Sequence, residues 1–266
     1  MLISRSILLA FCLLVSAGAG WAADSPPAFT LFLANDNCPD YTWGLDEKAT
    51  RKAFAELVRA HLDQMNATDA AAPADRDRYN MAVTNEYFAF VEHYGDRQAE
   101  LDRRLKEGRV FLSPFLCNSL WGLQSHEAFL RTLYPARRIQ RRLGIRLDVA
   151  EHIEAPSLPW GTATLLAGSG VRWLAVPFYN YDSTWQKLPH PPLWWHQGPD
   201  GSRVGLWLDG WACNRFSYTQ AAQVLKNPAA NAAAWAGHFR SLGPAYPCSF
   251  ALACGTHGDI NPTSGH

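Results

Sequence analysis

The sequence has no excess of either charge: 24 lysines and arginines balance 24 aspartates and glutamates. Surfaces that hold nucleic acid or anionic membrane need a basic surplus, so neither partner is expected. It lacks a CxxC pair and any cysteine–histidine finger spacing, which argues against a structural zinc site of that type. No glycine-rich fingerprint and no GxxxxGK[ST] follows the first apolar strand, so a nucleotide-binding fold loses ground. There is no internal repeat and nothing that reads as a domain linker.

What is present fits one sizeable domain. A length of 266 residues is normal for a single α/β barrel, and 48% hydrophobic residues can fill its core. Eleven tryptophans leave two readings open: core filling, or a cleft in which indole rings stack on pyranose faces. Residues 1–22 read as a secretory signal peptide, with Arg5, the apolar run "ILLAFCLLVSAGAG" and small residues at Gly20 and Ala22. The expected location is secreted or periplasmic, with no membrane attachment after cleavage. Cys12 leaves with that segment. Cys38, Cys117, Cys213, Cys248 and Cys254 remain, an odd number that cannot all pair internally. A bridge from Cys213 to Cys248 or Cys254 is one pairing the sequence allows.

Seven strands alternate with helices. "FTLFLAND", "RYNMAVTNE", "RVFLSPF", "IRLDVAEH", "VRWLAVPFY", "RVGLWLD" and "CSFALACGTHGD" are the strands. Helices are expected over "DEKATRKAFAELVRAHLDQM", "FAFVEHYGDRQAELDRRLKEG", "SHEAFLRTLYPARRIQRRLG" and "PWGTATLLAGSG". Ser125 caps the third of these and Gly144 ends it. "PDG" in "WWHQGPDGS" marks a tight turn, with His196 and Asp200 as turn-formers. Alternation of this kind implies parallel strands with crossover helices, in a barrel or a doubly wound sheet.

In barrels, the chemistry lies at the carboxyl ends of the strands. Here those ends carry Asn35, Asp36, Asn37, Cys38 and Asp40; then Asn85 and Glu86; Asn118; Glu151, His152 and Glu154; Asn180 and Asp182; Asp209; and His257 with Asp259. Loop polarity and helix capping account for any one of them. Together they make a ring of carboxylates, amides and imidazoles. Paired carboxylates are what glycoside cleavage requires, and three or four such ligands could also hold a divalent metal.

"EGRVFLSPFLCNSLWGLQSHEAFLRTLYPARR", "IEAPSLPWGTATLLAGSGVRWL", "PLWWHQGPDGSRVGLWLDG" and "GTHGDINPTSG" occur in that order. In order and spacing they resemble the N-terminal catalytic domain of the family 38 glycoside hydrolases, the α-mannosidases, in a divergent bacterial form. The resemblance runs from about residue 29 to the end. It implies a seven-stranded (β/α) barrel of the glycoside hydrolase/deacetylase type over residues 23–266, C-terminally incomplete, and a retaining α-mannosidase-like hydrolase with a carbohydrate substrate. By the same resemblance, Pro156, Trp160, Leu165 and Leu166 align Glu154 with the family's nucleophilic aspartate. Capping of the helix near Pro159 is the alternative role for Glu154. Asp209 is the first candidate for the acid/base and Asp259 the second, with Trp207 and Trp211 as the aromatic surroundings that keep such an acid protonated. Trp43, Glu86, Trp160, Asn180 and Trp211 are the expected substrate-binding residues.

The family binds zinc through an HxD pair after the first strand, the nucleophile and a later histidine. "NDNCPDYTWG" has no histidine, and its alignment places either Asp36 and Cys38 or Cys38 and Asp40 on the pair. Asp36 and Asp40 are the favoured oxygen ligands, because an exported free thiolate is prone to oxidation. Glu154 and His257 complete the expected set, holding zinc by resemblance, or calcium, or no metal at all. A non-catalytic carbohydrate-binding barrel is the main alternative. A polysaccharide deacetylase shares the barrel type, but its "DD" strand end and HxxxH helix are missing. Sugar, linkage and oligomeric state are not encoded in any of these motifs.

Overall fold

The computed structural model of the protein describes residues 29–42, 44–153, 157–177, 191–208 and 220–255. Among the described residues there are eight strands: β1 (Thr30–Leu33), β2 (Tyr79–Met81), β3 (Val110–Leu112), β4 (Val149–Glu151), β5 (Trp173–Ala175), β6 (Leu193–Gln197), β7 (Arg203–Trp207) and β8 (Phe250–Ala253). The helices are α1 (Glu47–Ala67), α2 (Thr84–His93), α3 (Gln98–Lys106), α4 (His126–Leu143), α5 (Thr162–Gly168), α6 (Gln220–Lys226) and α7 (Pro228–Ser241).

The strands form three small sheets, ordered β1-β8, β2-β3 and β4-β5-β7-β6. All pairings are parallel except β6 with β7. Further hydrogen bonds carry the sheets toward one another. Asn80 N–H donates to the Asn35 carbonyl (2.8 Å) between β1 and β2. Ser113 Oγ, just past β3, donates to the Glu151 carbonyl (2.9 Å) and accepts from the Glu151 N–H (3.1 Å), standing in for a ladder between β3 and β4. On the far side, Trp207 of β7 stacks on Phe250 of β8 at 6.4 Å. Among the described residues no ladder joins β7 to β8, and the sheets do not close.

The helices cover three apolar clusters. One lies between β4, β5, β7, α4 and α5 and includes Ala150, Leu174, Leu206, Leu133 and Leu166. A second joins β2 and β3 to α1–α4 through Met81, Leu112, Leu62, Phe90 and Ile139. The third gathers Trp207, Trp235, Phe239 and Tyr246 with β8.

Local chemistry accounts for the boundaries. Ser125 Oγ accepts from Ala128 N–H (3.2 Å) at the start of α4, and Gly144 takes φ +67° at its end, as its left-handed cap requires. Two expectations change. The helix expected over residues 88–108 is two, broken at Tyr94 and a 3₁₀ turn over Gly95–Arg97. Its first turn also begins earlier, so Asn85 and Glu86 lie on α2 rather than at the end of a strand. The "PLWWHQ" stretch is a strand, folded back on β7 through the Gly198–Ser202 turn. In that turn Asp200 accepts from Ser202 N–H (3.1 Å) and from Thr164 Oγ1 (2.5 Å), the turn-forming role expected of it.

Candidate functional site

Three carboxyl groups are buried together past the carboxyl ends of the parallel strands. Asp36 follows β1, Glu86 opens α2 just after β2, and Glu151 closes β4; their exposures are 0%, 0% and 4%. Three short strands bring them there. Glu151 is the last residue of β4, while Asp36 and Glu86 follow β1 and β2 by three and five residues, and all three side chains are buried.

Glu86 sits in a small polar network. Tyr79 donates its hydroxyl proton to Glu86 Oε2 at 2.5 Å, and Asn37 Nδ2 donates to the same oxygen at 3.2 Å and to the Tyr79 oxygen. Val83 N–H reaches Glu86 Oε1 at 3.4 Å. Burial raises the Glu86 carboxyl to about 7, against the lowering effect of those donors. Burial and the neighbouring Glu86 raise the Tyr79 phenol well above its ordinary value, and Asp36 adds to this, so the tyrosine stays a donor. The Tyr79 ring is held from behind by His61, stacked at 4.2 Å.

Asp36 and Glu151 form a second unit. Their carboxyls lie side by side, and the backbone of Gly255, just past β8, partly offsets the effect of burial on Asp36. Burial raises both carboxyls above their ordinary range, and the Glu151 charge pushes Asp36 further up. Two buried carboxyls in contact cannot both ionise without a compensating charge, so the pair shares a proton. Cys254 completes the group: one ligand atom each from Asp36, Glu151 and Cys254 lies within 4.8 Å of the others. Two carboxylates and a thiol could hold a divalent cation, with sulfur favouring zinc over calcium. The ionised pair would gain from such a charge what it otherwise lacks.

His152, next to Glu151, is also buried. Its Nε2 lies 2.9 Å from the Ser119 carbonyl, and its ring packs edge-on to Trp121 at 4.2 Å. Burial lowers its pKa to about 4, so the ring is neutral.

Of the residues expected from the sequence, Asp36 and Glu86 are both in this buried set. Asp40 is half-buried and does not join the group that could hold a metal. Trp160 is 68% exposed, and its Nε1 donates to the Gln197 carbonyl (3.0 Å), pinning the start of α5 to β6. Glu154, Asp209, Asp259, Trp43, Asn180, Trp211 and His257 lie outside the described residues. Ile153, immediately before Glu154 in the sequence, is buried against Cys38 and Ala82. Trp207, expected beside the acid/base, is a core residue packed on Phe239 and Tyr246. Among the described residues no two cysteines are bonded to each other, and Cys213 lies outside them.

Sequence reading placed Asn37 and Glu151 in the ring of strand-end groups without giving either a role, and it did not single out Cys254 or Tyr79. Glu151 had one available signal: an acid within an apolar strand, three residues ahead of Glu154. Tyr79 and Cys254 had none, since both residue types are ordinary in a strand.

No family model matches the chain, and no curated protein matches it in sequence. Solved structures do match in fold. One is an α-mannosidase from Enterococcus faecalis V583, with a TM-score of 0.67 at 14% identity over 88% of this chain. Another is a protein in glycosyl hydrolase family 38 from Enterococcus faecalis, with a TM-score of 0.59 at 13% identity over 89% of this chain. The chain spans about a quarter of their length, 25% and 24%. The sequence resemblance and the structural neighbours therefore point to one fold, shared with family 38 α-mannosidases.

Proposed function

We propose that the chain is the barrel portion of an exported glycoside hydrolase of the α-mannosidase type, acting with retention on O-glycosidic bonds of a carbohydrate. The observation that carries this is the burial of Asp36, Glu86 and Glu151 at the carboxyl ends of β1, β2 and β4, in a fold like that of α-mannosidases. The seven parallel strands would form the barrel of this reading, with β6 an added hairpin strand. Glu154, three residues past Glu151, is the nucleophile, and Asp209 or Asp259 the acid/base. Export rests on the apolar N-terminal stretch and its small-residue cleavage site.

A divalent cation is part of the proposal. Asp36, Glu151 and Cys254 would hold it, and when bound it supplies a positive charge beside the sugar-binding end of the barrel. Asp36 is the ligand common to this set and the sequence expectation.

The test is release of 4-nitrophenol from α-mannoside and a panel of other aryl glycosides. Wild type is compared with Glu154→Gln and Asp209→Asn, with EDTA and with added zinc or calcium. Activity lost in Glu154→Gln by about a thousandfold or more would support the nucleophile. Full activity in that variant would remove it. Sugar binding without turnover on any glycoside would establish the non-catalytic carbohydrate-binding barrel instead.

A further inference from the structure

A cavity lies at the other end of the strands. Tyr134, Arg137, Arg138 and Arg141 are spaced along one face of α4, and with Leu133 and Ser169, the residue after α5, they line a cavity of about 410 Å³. Arg137 Nη1 donates to the carbonyl of Leu147, which leads into β4. Glu151 closes that strand four residues later, roughly 13 Å away at the usual rise per residue. The cavity therefore belongs to the amino end of the strands and shares no residue with the carboxyl cluster.

Among the described residues no carboxylate lines this cavity, although the chain as a whole is neutral. Arg138 and Arg141 are exposed and make no ion pair among the described residues. Arg137 is half-buried. Its Nη1 also reaches Gln140 Oε1 (2.5 Å), while Nε and Nη2 are covered and have no hydrogen-bond acceptor among the described residues. Asp148 is the carboxylate whose charge is felt at Arg137, and it already pairs with Arg146 at 2.5 Å. Complementing the negative end of α4 accounts for a basic residue such as Arg141 in its last turn. It does not account for a guanidinium that is half withdrawn from water with two nitrogens unaccepted among the described residues, an arrangement that costs free energy unless an acceptor arrives.

We propose that this cavity binds a phosphate or sulfate ester of a small ring-bearing molecule. Guanidinium groups present planar, paired donors that match oxyanions, and three arginines line this cavity. The volume exceeds that of a bare oxyanion and falls in the range of small-molecule sites. Tyr134, 48% exposed, and Leu133 offer an apolar wall for the ring, while the Ser169 hydroxyl adds a polar contact.

The experiment is titration calorimetry on the full chain at low ionic strength with glucose 6-phosphate, glucose and inorganic phosphate. Glucose 6-phosphate is expected to bind and glucose not to. The double variant Arg138→Gln, Arg141→Gln, which alters only exposed side chains, should weaken binding at least tenfold while lowering the melting temperature of the free protein only slightly, through the lost charge at the end of α4. Tyr134→Ala should weaken the ester more than inorganic phosphate. Equal affinity for inorganic phosphate in wild type would support the oxyanion site with a free ion as its ligand. Absence of binding by ester and phosphate up to millimolar concentration would overturn the proposal, as would affinity unchanged in the double variant. Glu154→Gln should bind as wild type does, so failure of the hydrolase reading leaves this result standing.

Discussion

Glu86 is a carboxyl held nearly neutral inside the protein, and its pH behaviour follows from that. Its folded pKa is about 7, raised chiefly by burial, while an unfolded glutamate titrates near 4.5. A raised carboxyl favours folding in its protonated form. The benefit is fully present below the unfolded value and is lost as pH rises through about 7. Melting temperature measured from pH 4.5 to 8 should therefore fall across that window. Glu86→Gln keeps the shape and a hydrogen-bonding oxygen for Tyr79 but cannot ionise. It should flatten the fall and raise stability at pH 8 by at most about 3 kcal/mol, the scale set by the shift. A slope identical to wild type would show that Glu86 does not titrate in this range. Asp36 was legible as a site residue because it stands at the end of an apolar strand. Glu151 was passed over in favour of Glu154, since a strand residue that faces inward cannot be told from one that faces out without knowing the register.

The elements were mostly legible where capping chemistry or strong periodicity marks them. Ser125 and Gly144 bracket α4 in the sequence as they do in space. Gly144→Ala should destabilise by about 1 kcal/mol, read by urea denaturation, because alanine is strained at positive φ. α6 and α7 were not legible: "AANAAAWAGHF" is nearly uniform in small apolar residues and has no face to detect. β6 was hidden by the turn signal that follows it. Its partner strand reveals a packing device that only the fold shows. Trp173 of β5 and Trp195 of β6 flank Gly205 of β7 in register, and their rings meet over it at 5.4 Å. A Cβ on Gly205 would lie 2.2 Å from the Trp173 ring. Gly205→Ala must push that ring outward, so a loss of about 1–3 kcal/mol is expected. The same variant should shift the tryptophan emission of the folded protein, and unchanged emission and stability would mean that the indole moves freely.

At the scale of the whole molecule, the strands end in groups that are costly when charged and alone. Seven strand segments were readable from their apolar runs, yet which strand ends would touch was not, because contact depends on how the sheets join. The joining brings Asp36, Glu151 and Cys254 together from β1, β4 and β8, elements separated by most of the chain. With both carboxyls raised, their contribution to folding is present at acid pH and is lost as pH rises and the shared proton leaves. A divalent cation on the same three ligands would take the place of that proton. Its stabilisation would therefore run opposite in pH: small near pH 5, where protons compete, and larger near pH 8. Thermal melts of EDTA-treated protein at those two pH values, with and without zinc, separate the two contributions. At a zinc concentration a hundred times the dissociation constant, the expected gain is about 2.7 kcal/mol at the higher pH. Asp36→Asn should abolish the gain while making the zinc-free protein more stable at pH 8, since it removes one of two carboxyls in contact. If zinc stabilises wild type and Asp36→Asn alike, the cation binds elsewhere, and the cluster is a proton-sharing pair that needs no metal.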